Sequence, residues 1–364
     1  AISFFVGPFG QPAFALLRRE MRFDVLHHIA IISVVTGTIT SIILALLNYS
    51  YMSLAWGLLA GNVVRTILVL VARRDHIRLR PGYKHWREVL NFGGWLTGAS
   101  FAGTLSAEGN KFVLGGLLNP ASLALFERAQ QIPRMSREAF FLPVGRVILP
   151  AFSKDIRKNL SIGPKVMKYV AATTVILWPA YLTLSFIAIE VVIFLFGENW
   201  RLAGEILPYI LAGTAIRAAL PQPDEVLVPH GRVQRLFCFR CFQILNTLVF
   251  SVAGAMHSIE MFAILRIPAS MVYVIANGFI IFPFMQVPMR GLFKNYAVSA
   301  VISAVCALPM AATVLYYSTV PFSVLVCAVV MTCLLWVVSI KMSGHILARE
   351  LSNSLRIIKQ RIRA

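Results

Sequence analysis

Fourteen residues, LFERAQQIPRMSRE at 125–138, gather Glu127, Arg128, Arg134, Arg137 and Glu138 in a chain where charged residues supply only 13% of the total. On a helix turning 100° per residue, Arg137, Gln130, Arg134, Glu127, Glu138 and Gln131 fall within an arc of roughly 120°, and Arg128 stands about 60° beyond its edge. Leu125, Phe126, Ala129, Ile132, Ser136 and Phe140 fill the opposite side. The pattern predicts a polar stripe about three turns tall on an otherwise apolar helix, bent by Pro133. The segment before it carries its own stripe: Thr97, Ser100, Thr104, Glu108 and Lys111, spaced 3, 4, 4 and 3 apart. Two such helices side by side would line one polar cavity.

An anion is the ligand chemistry that fits these residues, because guanidinium groups offer fixed donors to phosphate oxygens. The competing reading is helix-gluing ion pairs, Glu108 with Lys111 and Glu127 or Glu138 with Arg134. Charge balance favours the anion. Arg65, Lys111, Arg128, Arg134, Arg137, Arg146, Arg217, Arg240 and Arg266 lie within apolar segments, accompanied there by fewer acids: Glu108, Glu127, Glu138 and Glu190, with Glu205 and Glu260 near segment starts. Each such charge is costly in lipid unless it faces protein or water. Arg146, Arg217 and Arg240 sit near segment ends and can snorkel, as can Arg266. Arg65, Lys111, Arg128, Arg134 and Arg137 remain as candidate anion-binding residues, with Glu108, Glu127, Glu138 and Gln131 supporting them.

The elements that must position these groups are membrane spans. The 364-residue chain is 58% hydrophobic, with a mean hydropathy of +0.75. Apolar blocks long enough to cross a bilayer are expected at 29–47, 52–72, 91–118, 120–150, 168–196, 202–220, 236–254, 260–283, 296–316 and 321–342. A further apolar stretch at 1–17 is read as a partial span. The fold class is therefore an all-α polytopic membrane protein; a β-barrel would show short alternating segments instead. No basic leader precedes the first block, and a start inside a hydrophobic block suggests a piece whose earlier helices precede it.

The formal net charge is +19, and where the basic residues lie excludes a nucleic-acid surface. One set of connections holds Arg18, Arg19 and Arg22, the run from Arg73 to Arg87, Lys154 to Lys168, Arg232 and Arg235, and Arg290 and Lys294; the alternate connections contain only Arg201. That alternation is the positive-inside signature, placing the basic loops and the C-terminus in the cytoplasm. Residues 73–90 read as a basic linker between two bundles. Residues 343–364 read as an amphipathic helix on the anionic inner leaflet. A faint echo between PAFALLRREMR (12–22) and PDEVLVPHGRVQR (223–235) hints at an internal repeat of the kind transporters use.

Enzyme chemistry has no candidate here. His27, His28, His76, His85, His230, His257 and His345 are scattered without metal-ligand spacing. The CFRC stretch at 238–241 lies within an apolar block, as do Cys306, Cys327 and Cys333, so core cysteines are expected. No glycine loop for nucleotide phosphates is present. No metal, no cofactor and no catalytic residue are expected.

Several stretches resemble a known family: ALLRREMRF, NFGGWLTGAS…GNKFVLGGLLNPASLALFERAQQIP, LPVGRVILPAFSK and LFGENWRLAGEILPYIL. They are similar to the Wzx-type, WzxC-like polysaccharide flippases of the MOP (MATE-like) superfamily, through residues 12–215. The resemblance implies a MATE-like two-lobe helical bundle of fourteen helices, of which about three would precede this chain. Residues 1–72 would then be the remainder of the first lobe, 91–283 the second lobe, and 284–342 two additional helices. Lys111 matches the family's Leu-Asp-Lys-like stretch, with Asn110 in place of the acid. In the Gly-x-Tyr-x-x-Ala stretch only Ala129 is kept. The implied activity is flipping of undecaprenyl-pyrophosphate-linked oligosaccharide repeat units across the bacterial inner membrane, for exopolysaccharide or lipopolysaccharide biosynthesis. Membrane lipid, a polymerase and chain-length proteins are the implied partners. Alternatives are a MATE-like multidrug or cation antiporter, disfavoured by the surplus positive charge, and a membrane-bound polymerase or ligase, disfavoured by short outer loops.

Overall fold

The computed structural model describes residues 2–73, 86–136, 138, 152–156, 158, 160–316 and 321–343. The amphipathic tail expected at 343–364, beyond Ser343, and most of the linker at 73–90 lie outside them. The chain divides into two units, Ala1–Arg87 and Glu88–Ala364. Among the described residues all regular structure is helical.

The first unit consists of α1 (Ile2–Arg19), α2 (Phe23–Leu46) and α3 (Met52–Ala72). Small residues set the α2–α3 contact. A Cβ on Gly57 would fall 2.6 Å from Gly37 O, and one on Gly61 would fall 2.9 Å from Ser33 O. Backbone therefore meets backbone, the arrangement by which helices associate in lipid without hydrophobic drive. Ala13, Leu17, Ile29 and Val69 form the small core that seats α1, and Arg73 pairs with Glu20.

The second unit begins within α4 (Trp86–Val113), followed by a π-helical turn at Leu114–Leu118 and α5 (Pro120–Ser136). Next come α6 (Gly163–Phe186), α7 (Ala188–Phe196), a 3-10 turn at Glu198–Trp200, and α8 (Arg201–Arg217). A five-residue helix, α9 (Pro223–Leu227), precedes α10 (Val233–Ala255), α11 (Ile259–Ile264) and α12 (Arg266–Met285). Helices α13 (Met289–Tyr316) and α14 (Phe322–Met342) are the last among the described residues.

Two expected single spans are each interrupted. The block at 168–196 breaks at Ile187, where Gly204 of α8 comes so close that a Cβ would sit 2.7 Å from Ile189 Cα. The block at 260–283 breaks at Leu265, because Pro268 has no N–H to offer Ile264 O and its ring crowds that carbonyl. Among the described residues seven helical stretches are long and apolar enough to cross a membrane: α2, α3, α6, α10, α11 with α12, α13 and α14. Helices α4 and α5 are not among them; they are the ones that carry the charged stripes. The chain is a multi-pass helical membrane protein.

The cysteines depart from expectation. Cys306 is buried, but Cys238, Cys241, Cys327 and Cys333 are exposed. On an apolar helix an outward thiol faces lipid and behaves there as a small hydrophobe, so hydropathy alone did not separate core from surface.

Candidate functional site

Asn119 sets the geometry of the charged stripes. Its extended backbone ends the π-helical turn, its side-chain Oδ1 accepts the Ser122 N–H at 2.7 Å, and Pro120 starts α5 with a preset φ. Lys111 and Glu127 stand equally far from this turn along the two helices, so folding the chain back at Asn119 brings them together. Lys111 Nζ lies 2.8 Å from Glu108 Oε2 and 3.7 Å from Glu127 Oε2. The same Glu127 oxygen is 3.5 Å from Arg134 Nη2. Four of the expected residues thus form one continuous seam, and their side chains are 31–47% exposed.

The face of α4 that bears this seam points away from its own packing. Ala99, Ala102, Ser106, Gly109 and Asn110 are buried, held by a hydrogen bond between the Ser106 and Thr247 hydroxyls (3.0 Å) and one from the Ser251 hydroxyl to Asn110 Oδ1 (2.6 Å). Thr97, Ser100 and Thr104 lie on the opposite side and are exposed. The Ser100 and Thr104 hydroxyls donate to carbonyls one turn back, Leu96 O and Ser100 O.

The other expected residues lie elsewhere. Arg128 donates to Gln131 Oε1 at 3.2 Å and stacks its guanidinium over Trp200 (4.8 Å) and Phe196 (5.2 Å). It is not part of the seam, as its offset on the helical wheel foreshadowed. Glu138 is exposed, and Arg137 lies outside the described residues, as does Arg146. Arg65 belongs to the first unit, over the Phe14 ring at 4.7 Å. It lines a recess of about 110 Å³ with Gln11, Asn62 and Thr66. Arg217 and Arg266 do not snorkel but cover the rings of Tyr273 and Phe126. Among the described residues no group of three metal-ligating side chains forms.

Sequence reasoning missed a second polar centre, around α9. Arg240 pairs with Asp224 and donates to Gln243 Oε1 at 2.8 Å. The Gln222 N–H donates to Glu225 Oε2 (3.2 Å), closing a capping box. Tyr273 OH donates to Gln222 Oε1 (3.2 Å), Asn277 Nδ2 to Pro221 O (3.0 Å) and Tyr296 OH to Ala219 O (2.7 Å). The available signal was an acid pair behind prolines in PQPDE (221–225), a stretch that otherwise reads as an exposed loop.

Residues 1–204 match the family described as polysaccharide biosynthesis protein. The chain belongs to that family. Among curated relatives of the polysaccharide biosynthesis family, the chain is 25% identical over 248 residues to the lipopolysaccharide biosynthesis protein WzxC of Escherichia coli, covering 67% of this chain and 50% of WzxC. It is 21% identical over 255 residues to the teichuronic acid biosynthesis protein TuaB of Bacillus subtilis, covering 65% and 50%. The chain spans about half the length of the curated relatives it matches. Among solved structures it is similar to the lipid II flippase MurJ in an inward closed conformation, with a TM-score of 0.56, 17% identity, and coverage of 88% of this chain and 67% of that one. That likeness shows the fold. The motifs that resembled Wzx-type proteins and the family match agree.

Proposed function

We propose that the chain is the membrane body of a flippase that moves undecaprenyl-pyrophosphate-linked oligosaccharide repeat units across the inner membrane, for exopolysaccharide or lipopolysaccharide biosynthesis. The observation that carries this reading is the exposed seam of Glu108, Lys111, Glu127 and Arg134 on two helices too polar to be simple spans. A charge chain turned away from its own core is one that water or a ligand reaches, and a pyrophosphate competes for Arg134 and Lys111 by charge-assisted hydrogen bonds. Glu108 and Glu127 hold the cations in place until then. Arg128, with Gln131, extends the positive path along α5, and Arg137 and Glu138, next in the sequence, are proposed to continue it. Arg65 of the first unit is a further anion-attracting position. The names of WzxC and TuaB support the polysaccharide pathway, and that of MurJ supports a lipid-linked cargo. Basic connections and the C-terminus face the cytoplasm in this reading, and polymerase and chain-length proteins act on the flipped product.

The test uses the full-length protein in a strain lacking its flippase. Wild type restores surface polysaccharide and clears accumulated lipid-linked oligosaccharide. Failure of wild type to do so, with the protein present in the membrane, overturns the reading.

A further inference from the structure

We propose that Glu225 is a proton-binding site that holds α9 in its seat when protonated and loosens it when ionised. The proposal does not depend on what the chain transports. Helix α9 is five residues long, far below the length at which a helix is stable alone, so tertiary contacts decide whether it stays folded. Val226 and Leu227 sit in a core with Tyr169 and Val170 of α6, Leu236 of α10 and Ile281 of α12. Pro221 and Pro223 are buried beside them. This insertion carries an acid pair into the protein, and the two acids are treated differently. Asp224 has the Arg240 guanidinium. Glu225 has only the Gln222 N–H, and among the described residues it makes no ion pair. A second buried polar group faces the same segment. Asn277 turns its amide toward the same segment, giving Nδ2–H to Pro221 O, while its Oδ1 is buried without a partner and the residue is 1% exposed.

The groups around Glu225 favour the neutral form. Asp224 on its own helix adds a like charge. From α6 comes the phenol of Tyr169, and from α12 that of Tyr273. Arg217 at the end of α8 is directed to the Tyr273 ring, and Arg240 of α10 is engaged by Asp224. His230, on the turn after α9, gives its Nδ1–H to Val226 O at 2.7 Å. Burial, opposed by the Gln222 N–H and reinforced by Asp224, raises the Glu225 carboxyl from its ordinary 4.5 to about 7. A released α9 would leave this carboxyl in water with its ordinary value. The seated form then keeps its proton at pH values where the released form has lost it. Seating is strongest below about pH 4.5, weakens as pH rises toward 7, and stays weak above that. Between pH 5.5 and 7.5 the released fraction rises about twentyfold on this account.

The measurement is amide hydrogen exchange of residues 219–232 in the full chain in lipid nanodiscs, from pH 5.5 to 8.5, corrected for intrinsic exchange. Wild-type opening is expected to rise about twentyfold by pH 7.5 and then level off. Glu225→Gln, which fixes the neutral form, is expected to hold the low-pH protection throughout. His230→Gln is expected to keep the wild-type response. A pH-independent wild type overturns the proposal, as does a Glu225→Gln variant that responds like wild type, or loss of the response in His230→Gln alone. Should Glu225→Gln fail to accumulate, Glu225→Met removes the carboxyl at similar volume and must abolish the response in the same way.

Discussion

Glu127 stands between two cations and belongs fully to neither. Its one oxygen serves Lys111 at 3.7 Å and Arg134 at 3.5 Å, with all three side chains 31–46% exposed. Exposed pairs of this kind contribute only about 0–1 kcal/mol each, so their removal is expected to leave the fold almost intact. Arg134→Ala in the full-length protein should abolish transport while membrane abundance and thermal stability stay near wild type. Immunoblotting beside lipid-linked oligosaccharide measurement checks this. The double variant Glu127→Gln with Arg134→Gln separates the two roles: if the residues only glue α4 to α5, losing both together restores transport, and the flippase reading of this seam is then lost. Arg128 should behave differently. It covers two rings, and a stacked guanidinium contributes about 0.5–2 kcal/mol, so Arg128→Ala should lower thermal stability as well as transport. Most of this was legible in sequence, because helix periodicity alone grouped Glu127 with Arg134 and set Arg128 apart. The aromatic partners were not, since Phe196 and Trp200 lie some seventy residues away and only the fold chooses them.

Between helices, contact is decided by residues that carry almost no side chain. A Cβ on Gly57 would meet Gly37 O at 2.6 Å, and it also runs into the Ser41 hydroxyl. Backbone cannot retreat as a flexible side-chain end can. Gly57→Val should therefore destabilise the α2–α3 pair by about 1–3 kcal/mol, the usual cost of overpacking, and reduce folded yield. Gly93→Ala makes the control: nothing lies within 4 Å of a Cβ there, and alanine favours the helix by up to about 1 kcal/mol. Size-exclusion profiles of detergent-extracted protein distinguish the two. At this scale the sequence was partly readable. Apolar blocks located the helices, but run length could not show where one block becomes two. Pro268 gave a readable sign of the break at Leu265; the break at Ile187 has no such mark, being tied to the approach of Gly204 from α8. The seat of α9 was hidden for a related reason. Asp224 and Glu225 look like loop residues until the burial of the flanking prolines is known.

For the molecule as a whole, the distribution of basic residues predicts orientation. A cysteine at Asn199, exposed in the turn before α8, should react with an impermeant maleimide applied outside the cell. One at Lys158, likewise exposed, should react only after permeabilisation. The reverse pattern would invert the topology and take the direction of flipping with it. Overall class, helix content and family were all present in the hydropathy and motifs, because lipid imposes helices on any chain this apolar. One packing detail offers a practical handle on the whole. The Trp178 indole donates to Ala215 O at 2.9 Å and stacks 5.8 Å from the Tyr296 ring, whose hydroxyl holds Ala219 O just ahead of α9. That indole is therefore an optical gauge wired to the α9 seat. With the other five tryptophans replaced by phenylalanine, its emission would follow seating and release in real time, with no label attached to the protein.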